Sequence, residues 1–277
     1  MSSKTDKPDT GIWDRNRGII RSSKGGWFAG KGVFNHGYDM MRDLVGKVSY
    51  MQVIVLNATG RLPSREIADW CEAVYICLSW PDPRIWCNHI GALAGSVRCS
   101  PVAATVAGTL ASDSHSYGPG TLASGVRFIQ SALKKKLGGL SVEDIVNAEC
   151  RVTGKTPTIT GYARPLAKGD ERVAAMERVA IQLGFTTGPH LALAYEIESH
   201  LLEHYNESMN INGYCTGFLA DHEYSPEDVY RISTCLVSSG VTACYTDTFG
   251  KTPNTFLPHH CNDIEYQGKE PREVPVK

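Results

Sequence analysis

The sequence predicts a mostly α-helical protein with short β arms near its N-terminus. From Leu62 onward, Ser, Asp and Pro residues that start helices are repeatedly followed by apolar residues at the 3.6 period. Gly11 to Phe34 is instead dense in Gly and aromatics (Trp13, Trp27, Phe28, Phe34), a pattern of extended arms and turns. The 277 residues, 42% hydrophobic and 21% charged, have ordinary globular composition and length for about one or two domains.

Taken in order, Ser64 caps a predicted helix whose apolar positions are Ile67, Trp70, Cys71, Val74 and Cys77. Ser141 with Asp144 three residues on forms a capping box, continued by Ile145 and Ala148. Asp170 opens a segment with Val173, Met176, Val179, Ala180 and Leu183 in step, stopped by Gly184. Leu191, Ala194, Ile197, Leu201 and Tyr205 form another stripe. Ser225-Pro226-Glu227-Asp228 combines a capping Ser, Pro at the first helical position and acids at the positive helix end, and Gly240 is the expected stop. The Pro-containing tail from Lys251 is expected to be extended.

Composition excludes several function classes. Lys+Arg 28 against Asp+Glu 29 gives no basic surplus for nucleic acid and no acidic tail. The small-residue run Pro101 to Ala111 is far short of the roughly 20 residues of a membrane helix. The opening MSSKTDKPDTG lacks the apolar stretch of a signal peptide, so a cytoplasmic location is expected. Nine cysteines include no Cys-x-x-Cys pair; their odd number favours reduced, structural thiols over a disulfide framework or zinc site.

Three clusters carry candidate chemistry. His200-Leu-Leu-Glu203-His204 fits an inverted zinc-protease pattern. No acidic third ligand follows in helical context, however, and the segment reads instead as the polar face of an amphipathic helix. No metal is therefore expected, and His259-His260-Cys261 is treated alike. Gly161 to Arg172 is a cation-bearing loop just before a helix N-terminus; Lys168 and Arg172 beside free backbone N–H groups suit an anion, although a solvated charged loop has the same composition. Ser112 to Gly120 sets hydroxyls, Asp113 and His115 around glycines, as a turn that aims a His into a cleft or as a hydrogen-bonded turn alone. His89 is a fourth candidate, or a satisfied core histidine.

The order of these segments resembles the citrate synthase superfamily, in the style of its short citryl-CoA lyase-like members. The resemblance runs through Gly37-Tyr38-Asp39, Thr59-Gly60-Arg-Leu-Pro63-Ser64, His89, Gly108-Thr-Leu-Ala and the His115 to Gly120 turn. It continues through Gly161 to Arg172, Met209-Asn-Ile-Asn212-Gly213 and Tyr266-Gln-Gly268 with Arg272. It implies a two-domain helical fold: a large dimerisation domain of residues 1–117 and 224–277, and a small CoA-binding domain of residues 118–223. It implies a homodimer, with coenzyme A or an acyl-CoA as substrate, a small carboxylate as co-substrate, and no nucleic acid or membrane as partner. The chemistry implied is carbon–carbon bond formation or cleavage on an acyl-CoA, of Claisen or retro-aldol type, classed as acyltransferase or lyase. In it an aspartate takes the α-proton, one histidine stabilises the thioester enol, and another polarises the acceptor ketone.

This sequence departs from that pattern at reacting positions. The ketone-polarising His is replaced by Arg164, and the base Asp by Asn212. An amide cannot take a proton at neutral pH, and a guanidinium is no ordinary acid. His115 stands one or two positions early, with Ser116 or Tyr117 nearer the strict register, whereas Lys168, Asp170 and Arg172 keep the CoA-loop pattern and His89 aligns. Two readings follow. In one, the chain is an enzyme of altered chemistry, with His115 as acid/base, Arg164 as oxyanion or carboxylate binder, Asn212 as hydrogen-bond donor, His89 as substrate contact, and Gly161, Lys168 and Arg172 at CoA. In the other, it is a catalytically inactive CoA-ligand-binding or partner subunit of the same fold. Retention of His89, His115 and the loop cations favours the first.

Overall fold

A computed structural model describes residues 9–150, 156–162 and 169–275. Contacts divide the chain into two units, Met1–Asp69 and Trp70–Lys277.

In the first unit, strands β1 (Gly25–Phe28), β2 (Gly32–Asn35) and β3 (Tyr38–Asp39) form an antiparallel sheet in chain order. The β2–β3 connection is the pair His36-Gly37, both at positive φ (47° and 86°), the geometry of a tight hairpin turn. Asp39 accepts from the Met41 and Arg42 N–H groups and starts a short π-helix, Met40–Leu44. The extended arm expected over Gly11 to Phe34 is corrected at its start: Gly11–Asn16 is a one-and-a-half-turn helix, α1, begun by Thr10 and Asp14. Helix α2 (Tyr50–Thr59) begins with a Ser49/Gln52 capping box.

Helix α3 (Arg65–Cys77) starts where Ser64 accepts the Ile67 N–H, and buries Ile67, Trp70, Cys71 and Val74 as the periodicity requires. In the second unit α4 (Trp86–Ser96), α5 (Pro101–Ser112) and α12 (Ser238–Phe249) pack together. The Thr248 hydroxyl donates to the Ala92 carbonyl (2.7 Å), and Tyr245 donates to Cys99 (2.8 Å). A second layer holds α6 (Pro119–Leu137), α7 (Val142–Asn147), α8 (Glu171–Gln182), α9 (Pro189–Tyr205) and α10 (Ile211–Asp221). Its centre is Phe218 stacked on Trp70 at 3.9 Å, with Tyr214 beside them. The predicted capping boxes at Ser141 and Ser225 form, Asp170 caps α8, and Gly184, at φ +80°, follows its end.

One expected helix is two. The chain from Ser225 runs as α11 (Pro226–Ile232), turns, and restarts as α12, so Gly240 lies inside a helix. A Cβ there would lie 3.1 Å from the Trp80 carbonyl oxygen and 3.2 Å from that of Ser79, so glycine permits close packing instead of ending the helix. The tail from Lys251 contains no helix or strand among the described residues, and Asn254 donates to the Ser96 carbonyl. All nine cysteines are free. No helix is long and apolar enough to cross a membrane among the described residues.

Candidate functional site

The first turn of α10 gathers several predicted residues. Asn210 caps it, accepting from the Asn212 N–H (2.8 Å). The Asn210 N–H donates to the Gly161 carbonyl at 2.8 Å. Gly161 has φ +100°, and a Cβ on it would lie 2.7 Å from both N and Cα of Gly213, so no other residue fits so close to the helix. Asp170 adds a second tie: one carboxylate oxygen accepts the Ile211 N–H (2.9 Å), while the pair of oxygens grips Arg172 Nε (2.7 Å) and a terminal guanidinium nitrogen (2.6 Å). The Asp170 side chain is fully buried and that of Arg172 19% exposed. Burial pushes the Asp170 carboxyl up, but the Arg172 hydrogen bonds and charge and the backbone donors outweigh it and hold it below the usual range. The described ends of the Gly161 to Arg172 loop therefore rest on α10, whereas Arg164 and Lys168 lie outside the described residues.

Asn212 reaches across to α6. Its Nδ2 donates to the Thr121 hydroxyl (3.0 Å), which donates to the Gly118 carbonyl (2.8 Å). Because the hydroxyl proton is committed to a carbonyl, the amide side facing Thr121 is its nitrogen. Among the described residues Asn212 Oδ1 is buried without a hydrogen-bond partner, and it faces Gly125, whose Cβ, if present, would lie 2.9 Å away.

His115 sits at the exposed tip of a tight turn closed by the Ser114 N–H to Tyr117 carbonyl bond (3.1 Å). Asp113 braces the turn by accepting from the Gly120 N–H (3.0 Å) and the Tyr230 hydroxyl. Gly118 has φ +88° and its Cα backs onto the Ser112 carbonyl, which folds the chain sharply after Tyr117. The Tyr117 ring is half-buried against Cys87, Val237 and Val241 and meets Trp86 edge-on at 5.4 Å. Burial pushes its phenol up to about 12, against a lowering by the Arg172 charge. Tyr117 therefore lies within electrostatic reach of the guanidinium that anchors the loop.

His89 lies one turn after Trp86 on α4, hence on the same face. Its Nδ1 is 2.9 Å from the Pro83 carbonyl, which only accepts, so Nδ1 carries the proton and Nε2 is left for another partner. Its ring meets Phe256 of the tail at 5.2 Å. Of the seven predicted residues, Gly161, Arg172 and Asn212 meet at α10. Thr121 links them to the helix after the His115 turn, and His89 shares a helix face with the ring that holds Tyr117. Sequence reasoning missed Thr121, Trp86 and the packing of Tyr117, since only side-chain contact reveals them.

Elsewhere, His200 and His204 stack at 4.2 Å on α9, and no group of three or more His, Cys, Asp or Glu side chains is placed to hold a metal among the described residues. A cavity of about 260 Å³ bounded by α8, α9 and α10, with Phe185, Leu191, Tyr195 and Phe218 in its wall, includes none of the predicted residues.

This helical arrangement is the citrate synthase fold, in the citryl-CoA lyase-like form anticipated from the sequence. The solved structure of citryl-CoA lyase from Hydrogenobacter thermophilus matches with a TM-score of 0.76 and 24% identity, over 93% of this chain and 98% of that one. ATP citrate lyase from Methanothrix soehngenii, solved with citrate and coenzyme A, matches at TM-score 0.74 and 18% identity. That alignment covers 99% of this chain but 46% of the lyase chain. Citrate synthase from Thermoplasma acidophilum, solved in a ternary complex with carboxymethyl coenzyme A and oxaloacetate, matches at TM-score 0.61 and 16% identity, over 82% and 59% of the chains. No protein-family model and no curated protein matches the sequence.

Proposed function

We propose that this chain is an enzyme that forms or cleaves a carbon–carbon bond on an acyl-CoA, with a small carboxylate as the other reactant. The observation that carries the reading is the convergence of the Gly161 loop, the Asp170–Arg172 pair and Asn212 on one helix N-terminus, tied through Thr121 to the helix after the His115 turn. The first N–H groups of that helix are taken by Asp170 and Asn210, so the phosphates and carboxylates of such substrates would be met by the cations of the loop that the helix anchors. In this reading Gly161, Lys168 and Arg172 hold CoA, and Arg164 grips a carboxylate or developing oxyanion. His115, exposed on a braced turn, moves the proton. His89 contacts the co-substrate through Nε2, and the second N–H of Asn212 orients a carbonyl. Residues 118–223 form the CoA-binding domain and residues 1–117 with 224–277 the dimerisation domain, in a cytoplasmic homodimer.

A non-catalytic, ligand-binding subunit is the second reading. It is favoured by the amide at 212, which is pinned and cannot accept the α-proton. Thiol release from a panel of acyl-CoAs and citrate-like acyl-CoA adducts, with and without 2-oxoacids, separates the two. Turnover supports the enzyme, and Arg164→His with Asn212→Asp then lowers it about 10²-fold, the scale of one oxyanion donor. Binding without turnover on any substrate supports the subunit.

A further inference from the structure

The cavity between α8, α9 and α10 has a volume of about 260 Å³. That lies between the roughly 150 Å³ that holds benzene and the roughly 300–1,000 Å³ of drug-sized sites, so it admits a single ring or a short branched chain with one head group. Its apolar wall is fixed in advance. Phe218 is held between Trp70 and His222, stacked on them at 3.9 Å and 4.2 Å, and Phe185 meets Phe218 edge-on at 5.1 Å. Leu191, itself buried, completes this wall from α9. Rings clamped in this way cannot fold inward to close the space.

The lining includes a carboxylate, Glu177 on α8, and no Lys, Arg or His. The Tyr195 hydroxyl donates to Glu177 Oε1 at 2.6 Å and so fixes the group, while Oε2 has no protein partner among the described residues. Glu198 on α9 adds to the negative field: it is half-buried, and burial and the Glu177 charge push its carboxyl up against the lowering by the Met209 N–H. Beside apolar walls such charges are less screened than in water, so an anion is repelled and a cation held. Thr186 and Thr187 line the same space with hydroxyls able to accept the remaining protons of an ammonium. We propose that this cavity binds a small primary amine, its ammonium on Glu177 and its apolar body between Phe185, Leu191 and Phe218. The inference is independent of the acyl-CoA reading. The site shares α8 and α10 with Arg172 and Asn212 but uses neither residue.

The probe is 2-phenylethylammonium, with 2-phenylethanol as the same shape without charge and phenylacetate as the reversed charge. Calorimetry at neutral pH compares the full wild-type chain with Glu177→Gln, whose amide oxygen still accepts from Tyr195 but carries no charge. Wild type is expected to bind the amine at least about tenfold more tightly than either control, as a charge-assisted contact requires. Glu177→Gln should lose that preference while its affinity for the alcohol and its melting temperature stay unchanged. A chain carrying 4-fluorophenylalanine at position 185 should shift its 19F resonance when the amine binds, which locates the probe in the cavity. No amine binding by the wild type, equal affinity for the amine and either control, an affinity unmoved by Glu177→Gln, or binding without the resonance shift each overturns the proposal.

Discussion

The side-chain amide nitrogen of Asn212 lies 3.0 Å from the hydroxyl oxygen of Thr121, joining the first turns of α10 and α6 across 91 positions of sequence. An ionised aspartate at 212 has no proton to give this oxygen, so the amide is chemically fitted to the join.

Asn212→Asp should therefore destabilise the protein in a pH-dependent way. The oxygen facing Gly125 is buried without a donor among the described residues, so burial would raise the folded-state pKa of the new carboxyl above its unfolded value of about 3.9. The penalty is absent below that value and grows as pH rises through the folded pKa. Urea melts should show a deficit of about 1–3 kcal/mol at pH 7 that closes towards pH 4. A deficit independent of pH would mean the oxygen is solvated.

Asp170→Asn should act with the opposite sign. The folded-state pKa of Asp170 is lowered, so its contribution is full above the unfolded value of about 3.9 and is lost as pH falls through the folded one. The variant should be about 3 kcal/mol less stable than wild type at pH 7, the scale of breaking a buried pair, and the difference should shrink under acid. Denaturant titrations at pH 7 and pH 3 check this.

Lys168→Glu with Arg172→Glu should weaken CoA binding by about two orders of magnitude or more, since each charge-assisted contact to phosphate is worth roughly 1.5–3 kcal/mol. Because Arg172 is also paired with Asp170, Lys168→Glu alone is the control that leaves that pair intact. Calorimetry with CoA showing equal affinity for wild type and both variants would refute the assignment.

Val102, Val106 and Leu110 lie four residues apart along α5 and are 72%, 52% and 72% exposed, an apolar stripe opposite the buried Ala104, Gly108 and Ser112. If a second copy covers this stripe in the proposed homodimer, Val106→Glu with Leu110→Glu should dissociate it. Light scattering should then fall from twice 30.3 kDa to 30.3 kDa. A wild type that is monomeric at micromolar concentration would exclude the dimer.

Local chemistry made much of the fold legible. Ser64, Ser141, Asp170 and Ser225 start their helices because capping depends on residues within one turn, and the stripe Leu191, Ala194, Ile197, Leu201 is buried because its period matches the helix. The ordered segments from Gly37 to Arg272 likewise carried the citrate synthase resemblance. Gly240 misled because a glycine that ends a helix and one that admits a neighbouring backbone look alike until that backbone is seen.

By itself, then, the sequence determined where helices begin, which faces are apolar, and which segments carry cations, imidazoles and amides. Only the tertiary structure decided what those groups meet: Asp170 with Arg172 and Ile211, Asn212 with Thr121, and Tyr117 with Trp86 while His115 stays exposed. Capping and periodicity are set by neighbours along the chain, whereas these partnerships depend on packing between elements far apart in it, which no local spacing encodes.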